Sequence, residues 1–442
     1  MYYKNMKKYR IYISFLFIQL SFMKILIIPF KRKINQNIDE NNLMQNLFKN
    51  EIYTKISIGT PPQKFNIFIK LFQFPFFLIT EDYKEGKQKK FNQNKSKTFE
   101  YLDHYTNTFF FYDYKNGNMC KDNFYLGKEK RSIEKLNFIL AKNLIEDANE
   151  YSGELGLNLY WNIYTTMSIK DNIINQLKEK EIIDDNIFYL QYSDKKEDEG
   201  KLIIGNYLHN INEKFSKEDL NFTKVKLDTY SFSWSIDINS IYLGKNIIIN
   251  QTFEGNFKYE FGFIQGINQY YIEIKKNFFD NYKNECFEKQ FNIFNNKNKN
   301  LTFTYFVCSN KIDIKKFPDL LLENNEMKYN FSLTYKDLFY NFHNNKYFLV
   351  IFETSLEKSF YSNNWIFGKP FFKKYLIMFD RDKKRIAIYN PSKTKICIPF
   401  NLIIIVTLLL IILYKIFYDK VHVKRKLRAN ELDDDYIYII NE

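Results

Sequence analysis

The chain has 442 residues, enough for two domains or one large bilobed one with an ample core. Its net charge of +14 would suit nucleic acid, but residues 1–33 alone hold eight Lys or Arg and no acid. The remaining charges are scattered, with no basic motif interleaved with aromatics, so nucleic acid is not an expected partner. The four histidines, His104, His209, His343 and His422, lie far apart and not at ligand spacing, so neither metal nor organic cofactor is expected. No Gly-x-Ser-x-Gly nucleophile signature occurs.

In chain order, Lys4, Lys7, Lys8 and Arg10 precede an apolar run from Ile11 to Met23. This is the form of a secretory signal or an uncleaved anchor, assigned to residues 1–30. Residues 31–48 read as a short pro-segment or linker. The body that follows consists of short alternating or β-branched runs broken by Asn, Gly and charged clusters. Trp234–Gly244, Lys346–Leu356 and Lys383–Asn390 are examples, and they predict a mostly antiparallel β protein. Asp171–Ile183 is one of few stretches with helical periodicity, and the clusters at Lys84–Lys95, Asp194–Glu199 and Asn292–Asn300 read as surface loops.

Beyond the body, ICIPFNLIIIVTLLLIILY runs from Ile396 to Tyr414. At about 1.5 Å per residue a helix of this length just crosses a hydrocarbon core of about 30 Å. Lys415, Lys420 and Lys424-Arg425-Lys426 follow, which predicts a transmembrane helix at 396–414, a cytosolic tail at 415–442 and a lumenal or extracellular bulk. In the tail, Tyr436 and Ile439 fit a tyrosine-x-x-hydrophobic sorting signal. Asn94, Asn221, Asn250, Asn300 and Asn330 head Asn-x-Ser/Thr sequons and are candidate glycosylation sites. Cys286 and Cys308 are 22 residues apart, and a bridge between them would suit an oxidising compartment.

A series of landmarks from about Lys49 to Pro391 resembles, in order, the pepsin-like aspartic protease family (peptidase A1). ISIGTPPQKF opens the series at Ile56. Tyr112–Met119 (YDYKNGNM) resembles the flap hairpin, with Tyr114 and Gly117 at the flap tyrosine and the turn glycine. Tyr151–Asn158 (YSGELGLN), Gly200–Asn210, Phe232–Gly244 and Cys308–Leu322 resemble further family segments. Trp365–Asn390 (WIFGKPFFKKYLIMFDRDKKRIAIYN) is the strongest match. The resemblance implies a mostly β, bilobed pepsin-like fold, with lobes at 49–222 and 223–393 and a peptide-binding cleft between them. A monomer is expected.

The family's chemistry uses two aspartates, one from each lobe. Two carboxyls about 3 Å apart share one proton, so that one serves as base on water and the other as acid on the peptide carbonyl. Here the first aspartate position falls on Lys70, followed by Leu71, Phe72 and Gln73, and the second is expected at Gln265. No Asp lies between Lys49 and Glu81 or between Phe253 and Phe279. The expectation is therefore a membrane-anchored pseudoprotease, with a cleft lined by Phe72, Phe74, Tyr114 and Gly117 that holds a peptide or protein partner without cutting it. Two alternatives remain open: an active endopeptidase with an unrecognised carboxylate pair, and a structural surface or granule protein that reuses the scaffold.

Overall fold

The structure, a computed structural model, describes residues 24–389 apart from 34–38, 40, 41, 49, 72–75, 85, 106–113, 128–130, 145–150, 160–171, 194, 197, 213, 227–232, 295–299 and 355–363, together with residues 411, 414, 415 and 418. Residues 1–390 form one compact unit and 391–442 a second. Short strands dominate the first unit, as the alternating sequence runs imply. The helical prediction at 171–183 is realised as Ile173–Glu179, where the Asn172 side chain accepts the Ile174 N–H at the helix start.

A 13-stranded sheet carries the fold. One end holds strands from both halves of the sequence. Ile377–Asp380 and Arg385–Tyr389 pair with each other, and Ile377–Asp380 also pairs with Ile187–Tyr192. The sheet then passes through Glu199–Ile204 and Leu26–Arg32 into Ile52–Ile58 and Gln63–Lys70. The second half has its own nine-stranded sheet and a four-stranded one. Cys286 and Cys308 face each other across neighbouring strands and are joined by a disulfide.

The strand Leu26–Arg32 departs from the expected domain boundaries. It pairs along its length with Glu199–Ile204, and Leu26, Ile28 and Phe30 are buried. The boundary placed at residue 30 thus falls inside a strand of the main sheet. The helix Leu43–Phe48, in the expected linker, buries Leu43, Met44 and Leu47 against Phe263, Phe291 and Phe303.

A second difference concerns the flap. Tyr114 and Gly117 lie within the long strand Tyr114–Leu126, and neither is in a turn. Gly117 is flanked by Tyr105 on one side and Ala141 on the other, and a Cβ there would meet Ile139 Cγ2 at 2.6 Å. Its absent side chain serves sheet packing. Residues 106–113, between the paired strands Glu100–Tyr105 and Tyr114–Leu126, lie outside the described residues.

Among the described residues, no helix is long and apolar enough to cross a membrane. The expected span at 396–414 falls outside them except for Ile411 and Tyr414, and Tyr436 and Ile439 also lie outside.

Candidate functional site

Each half of the chain builds the same strand arrangement. In the first, Gln63–Lys70 runs parallel to Gly153–Gly156. Phe76–Ile79 then runs antiparallel to Gly153–Gly156 and parallel to Arg131–Leu144. In the second, Phe253–Phe257 runs parallel to Trp365–Phe367. Ile264–Gly266 then runs antiparallel to Trp365–Phe367 and parallel to Val350–Glu353. Each half thus carries one loop between its first two strands, Leu71–Pro75 in the first and Lys258–Phe263 in the second.

These pairings fix which residues correspond. Lys70 is level with Gly156, while Phe257 is level with Phe367, so Lys258 is level with Gly368. The backbone N–H of Lys258 donates to Phe367 O at 3.0 Å, consistent with this register. Phe77 lies opposite Glu154, and Gln265 lies opposite Ile366. Aligning the two glycines makes Lys258 the partner of Lys70 and Gln265 the partner of Phe77. The expectation of Gln265 as the second site position is corrected by seven residues. Gln265 is a buried interior residue of a strand, between Ile351 and Ile366.

Glycines allow the two loops to approach the strands that support them. A Cβ on Gly368 would stand 2.0 Å from Phe263 O and 2.4 Å from Phe261 O. A Cβ on Gly153 would stand 2.0 Å from Phe77 O. No other residue fits either place without moving backbone.

The residues assembled at these loops are charged. Lys70 Nζ lies 2.6 Å from Glu154 Oε1, and the Glu154 side chain is wholly buried. Lys70 Nζ also lies 6.0 Å from the centre of the Tyr151 ring. Glu260, two residues after Lys258, reaches across to the first loop, where its Oε1 accepts the Leu71 N–H at 2.6 Å. Burial raises the Glu260 carboxyl above the usual range, while its own N–H, the Leu71 N–H and the Lys258 and Lys70 charges pull the other way. Its Oε2 is buried and accepts no hydrogen bond. Beneath the loops, Asn50 Nδ2 donates to Tyr259 O at 2.7 Å and to Tyr192 Oη at 3.0 Å, and the Asn50 N–H donates to Glu260 O at 2.6 Å. Asn50 thereby ties the N-terminal segment, the first half and the second loop together.

The family model for eukaryotic aspartyl proteases matches residues 51–390. The chain belongs to this family. No curated protein matches it in sequence. Within the aspartyl-protease frame, the Phe-Asp-Arg-Asp element at 379–382 has a structural role. The Arg381 guanidinium is buried, which lowers its pKa to about 9, and it donates to the carbonyls of Leu157, Asn158 and Leu159. Trp234 Nε1 donates to the same Leu157 carbonyl at 3.0 Å.

Of the other predicted site residues, Phe72 and Phe74 lie outside the described residues, as does the side chain of Tyr114. Asn94, Asn250 and Asn330 are exposed, Asn221 is half-buried on an edge strand, and the Asn300 side chain lies outside the described residues. Sequence reasoning missed Glu154, Lys258 and Glu260. The signal for Lys258 was present as a spacing: Lys70 and Phe77 are as far apart as Lys258 and Gln265.

Proposed function

We propose that this aspartyl protease homologue does not hydrolyse peptides, and that it holds a peptide or protein partner in the cleft between its lobes. One observation carries the reading. The two topologically matched loop positions are both lysines, Lys70 and Lys258, and Lys70 stands where the family resemblance puts an aspartate. An ammonium group cannot activate water by sharing a proton with a second carboxylate. The hydroxyl and glycine positions that would hold such a pair are Leu71, Phe72 and Gln73 in the first loop and Tyr259, Glu260 and Phe261 in the second. The apolar segment 396–414 and its basic flank support a single-pass anchor in the secretory or endosomal system, with the lobes on the lumenal or extracellular side.

A second reading has an observation of its own. Glu154 and Glu260 are two carboxylates brought to the loops, and an active enzyme would have to use them. Glu154 is matched by Lys70 at 2.6 Å, and Glu260 already accepts the Leu71 N–H, so each has a structural role that favours the first reading.

The test is a casein digest by the purified full-length chain at acid pH, paired with capture on an immobilised transition-state mimic. Such a mimic draws much of its affinity from an aspartate pair. Neither cleavage nor capture is expected. Cleavage that the mimic blocks would overturn the proposal. Cleavage lost in Glu154→Gln or Glu260→Gln would establish the second reading.

A further inference from the structure

The four-stranded sheet of the second half runs in the order Asn246–Ile249, Ser240–Leu243, Leu320–Asn324, Tyr329–Leu333. Among the described residues its outer strands are therefore Asn246–Ile249 and Tyr329–Leu333. An outer strand offers a row of N–H and C=O groups to any other strand that meets it. The first is apolar as well: three isoleucines follow Asn246, and the Ile247 side chain is exposed. Each outer strand carries or adjoins an Asn-x-Ser/Thr sequon. Asn250 directly follows Ile249, and Asn330 lies within Tyr329–Leu333.

Register fixes which way Asn330 faces. Asn330 lies opposite Glu323, and Ser332 lies opposite Leu321. The Ser332 N–H donates to Tyr375 Oη at 2.6 Å, and Tyr375 Oη donates to Ser332 O at 2.8 Å. Both main-chain groups of Ser332 thus point away from Leu320–Asn324, and the Tyr375 hydroxyl covers them. In an antiparallel pair, residues two apart point the same way, so the main-chain groups of Asn330 lie on the same outer side. The Asn330 side chain is exposed. At the other edge, Asn250 is exposed and accepts the Ser240 hydroxyl on Oδ1 at 3.3 Å, which leaves Nδ2 as the atom for attachment.

We propose that Asn250 and Asn330 carry N-linked glycans, and that these glycans shield the outer strands of this sheet from pairing with a second copy of the chain. The proposal rests on the lumenal placement of the lobes, where a lipid-diphosphate-linked oligosaccharide is the donor. A bond forms from asparagine Nδ2 to the anomeric carbon of the sugar, the bond from that carbon to the lipid diphosphate breaks, and the amide proton leaves with the diphosphate. Transfer to the unfolded chain precedes strand formation, so the burial of Phe331 inside the second sequon is no obstacle. A bulky, solvated sugar at each edge occupies the place that an incoming strand needs. Asn94 provides an internal comparison, because it is exposed in the short turn Gln93–Lys95 and not on a sheet edge.

The experiment is glycopeptide mass spectrometry of the full-length chain recovered from cells, with sedimentation of the same chain in detergent. Sugar is expected at both Asn250 and Asn330. The variant Asn250→Gln/Asn330→Gln should self-associate at a protein concentration about tenfold lower than Asn94→Gln does. Trimming the glycans from the folded wild-type chain should cause the same association, which separates shielding from a failure to fold. Sugar at Asn94 with none at Asn250 or Asn330 overturns the proposal and leaves the lumenal placement standing. No sugar at any sequon also overturns it, and protease protection of the lobes in sealed microsomes then decides the lumenal placement separately. Occupied sites whose trimming leaves association unchanged overturn the shielding role.

Discussion

Lys70 is a half-buried cation at the end of the strand Gln63–Lys70, and the adjacent strand supplies a counter-charge. Glu154 is wholly buried, and Lys70 offsets its charge at 2.6 Å. Glu154→Gln is expected to destabilise the chain by about 2 kcal/mol in urea unfolding, because it removes the carboxylate paired with the half-buried Lys70 ammonium. Lys70→Met with Glu154→Leu removes both charges and should cost far less. If the double variant is as unstable as Glu154→Gln, the pair is not what holds this region. Glu260 makes the opposite kind of prediction. Its carboxyl is raised by burial, so above the ordinary glutamate value of 4.5 the folded chain retains a proton that the unfolded chain has lost. Stability contributed by this group is complete below that value and declines as pH rises towards the raised folded one. Glu260→Gln keeps an acceptor for the Leu71 N–H and abolishes the titration. Urea midpoints measured from pH 4 to 7 should therefore fall with rising pH less steeply in the variant than in the wild type.

At the scale of elements, pairing geometry decided what sequence could not. The strands of Val350–Glu353 and Arg385–Tyr389 were readable because their apolar, β-branched runs and flanking polar residues are strong local signals. The second cleft loop was not, because its family-like residues are replaced and its glycines, Gly262 and Gly266, lie beyond Lys258. The register of Ile264–Gly266 against two neighbouring strands moved the site by seven residues. The flap was misplaced for a related reason: a Tyr and a Gly near each other suggest a turn, yet Gly117 is required by close packing against Ile139 inside a strand. The bridge between Cys286 and Cys308 was legible as a pairing, and the strand register that brings the two cysteines opposite each other was not. It closes a loop of 22 residues, so Cys286→Ala/Cys308→Ala should lower stability by about 3 kcal/mol while leaving the register intact. Denaturant midpoints with and without reductant give the check: reductant should shift the wild type and leave the variant unmoved.

For the whole molecule, the sheet that joins the two halves also limits how much of the N-terminal segment can be removed. Leu26–Arg32 lies between Glu199–Ile204 and Ile52–Ile58, and it buries Leu26, Ile28 and Phe30. Removing it would leave Glu199–Ile204 with an unpaired edge and expose apolar side chains beneath it. A leader ending at residue 30, as the sequence pattern suggests, would sever this strand. Any processing point compatible with this sheet therefore lies before Leu26. Mass spectrometry of the N-terminus of the protein recovered from cells should find no mature form that starts within 26–32. Expressed variants give an independent measure. A chain starting at Lys24 should unfold at the same urea concentration as the natural mature form, and one starting at Lys33 should lose several kcal/mol or aggregate, since three buried side chains at about 1.5–3 kcal/mol each are withdrawn from the core. A stable, monomeric chain starting at Lys33 would show that this strand is a dispensable cover, and that the remaining contacts between the halves, Asn50 with Tyr259 and Glu260 among them, suffice.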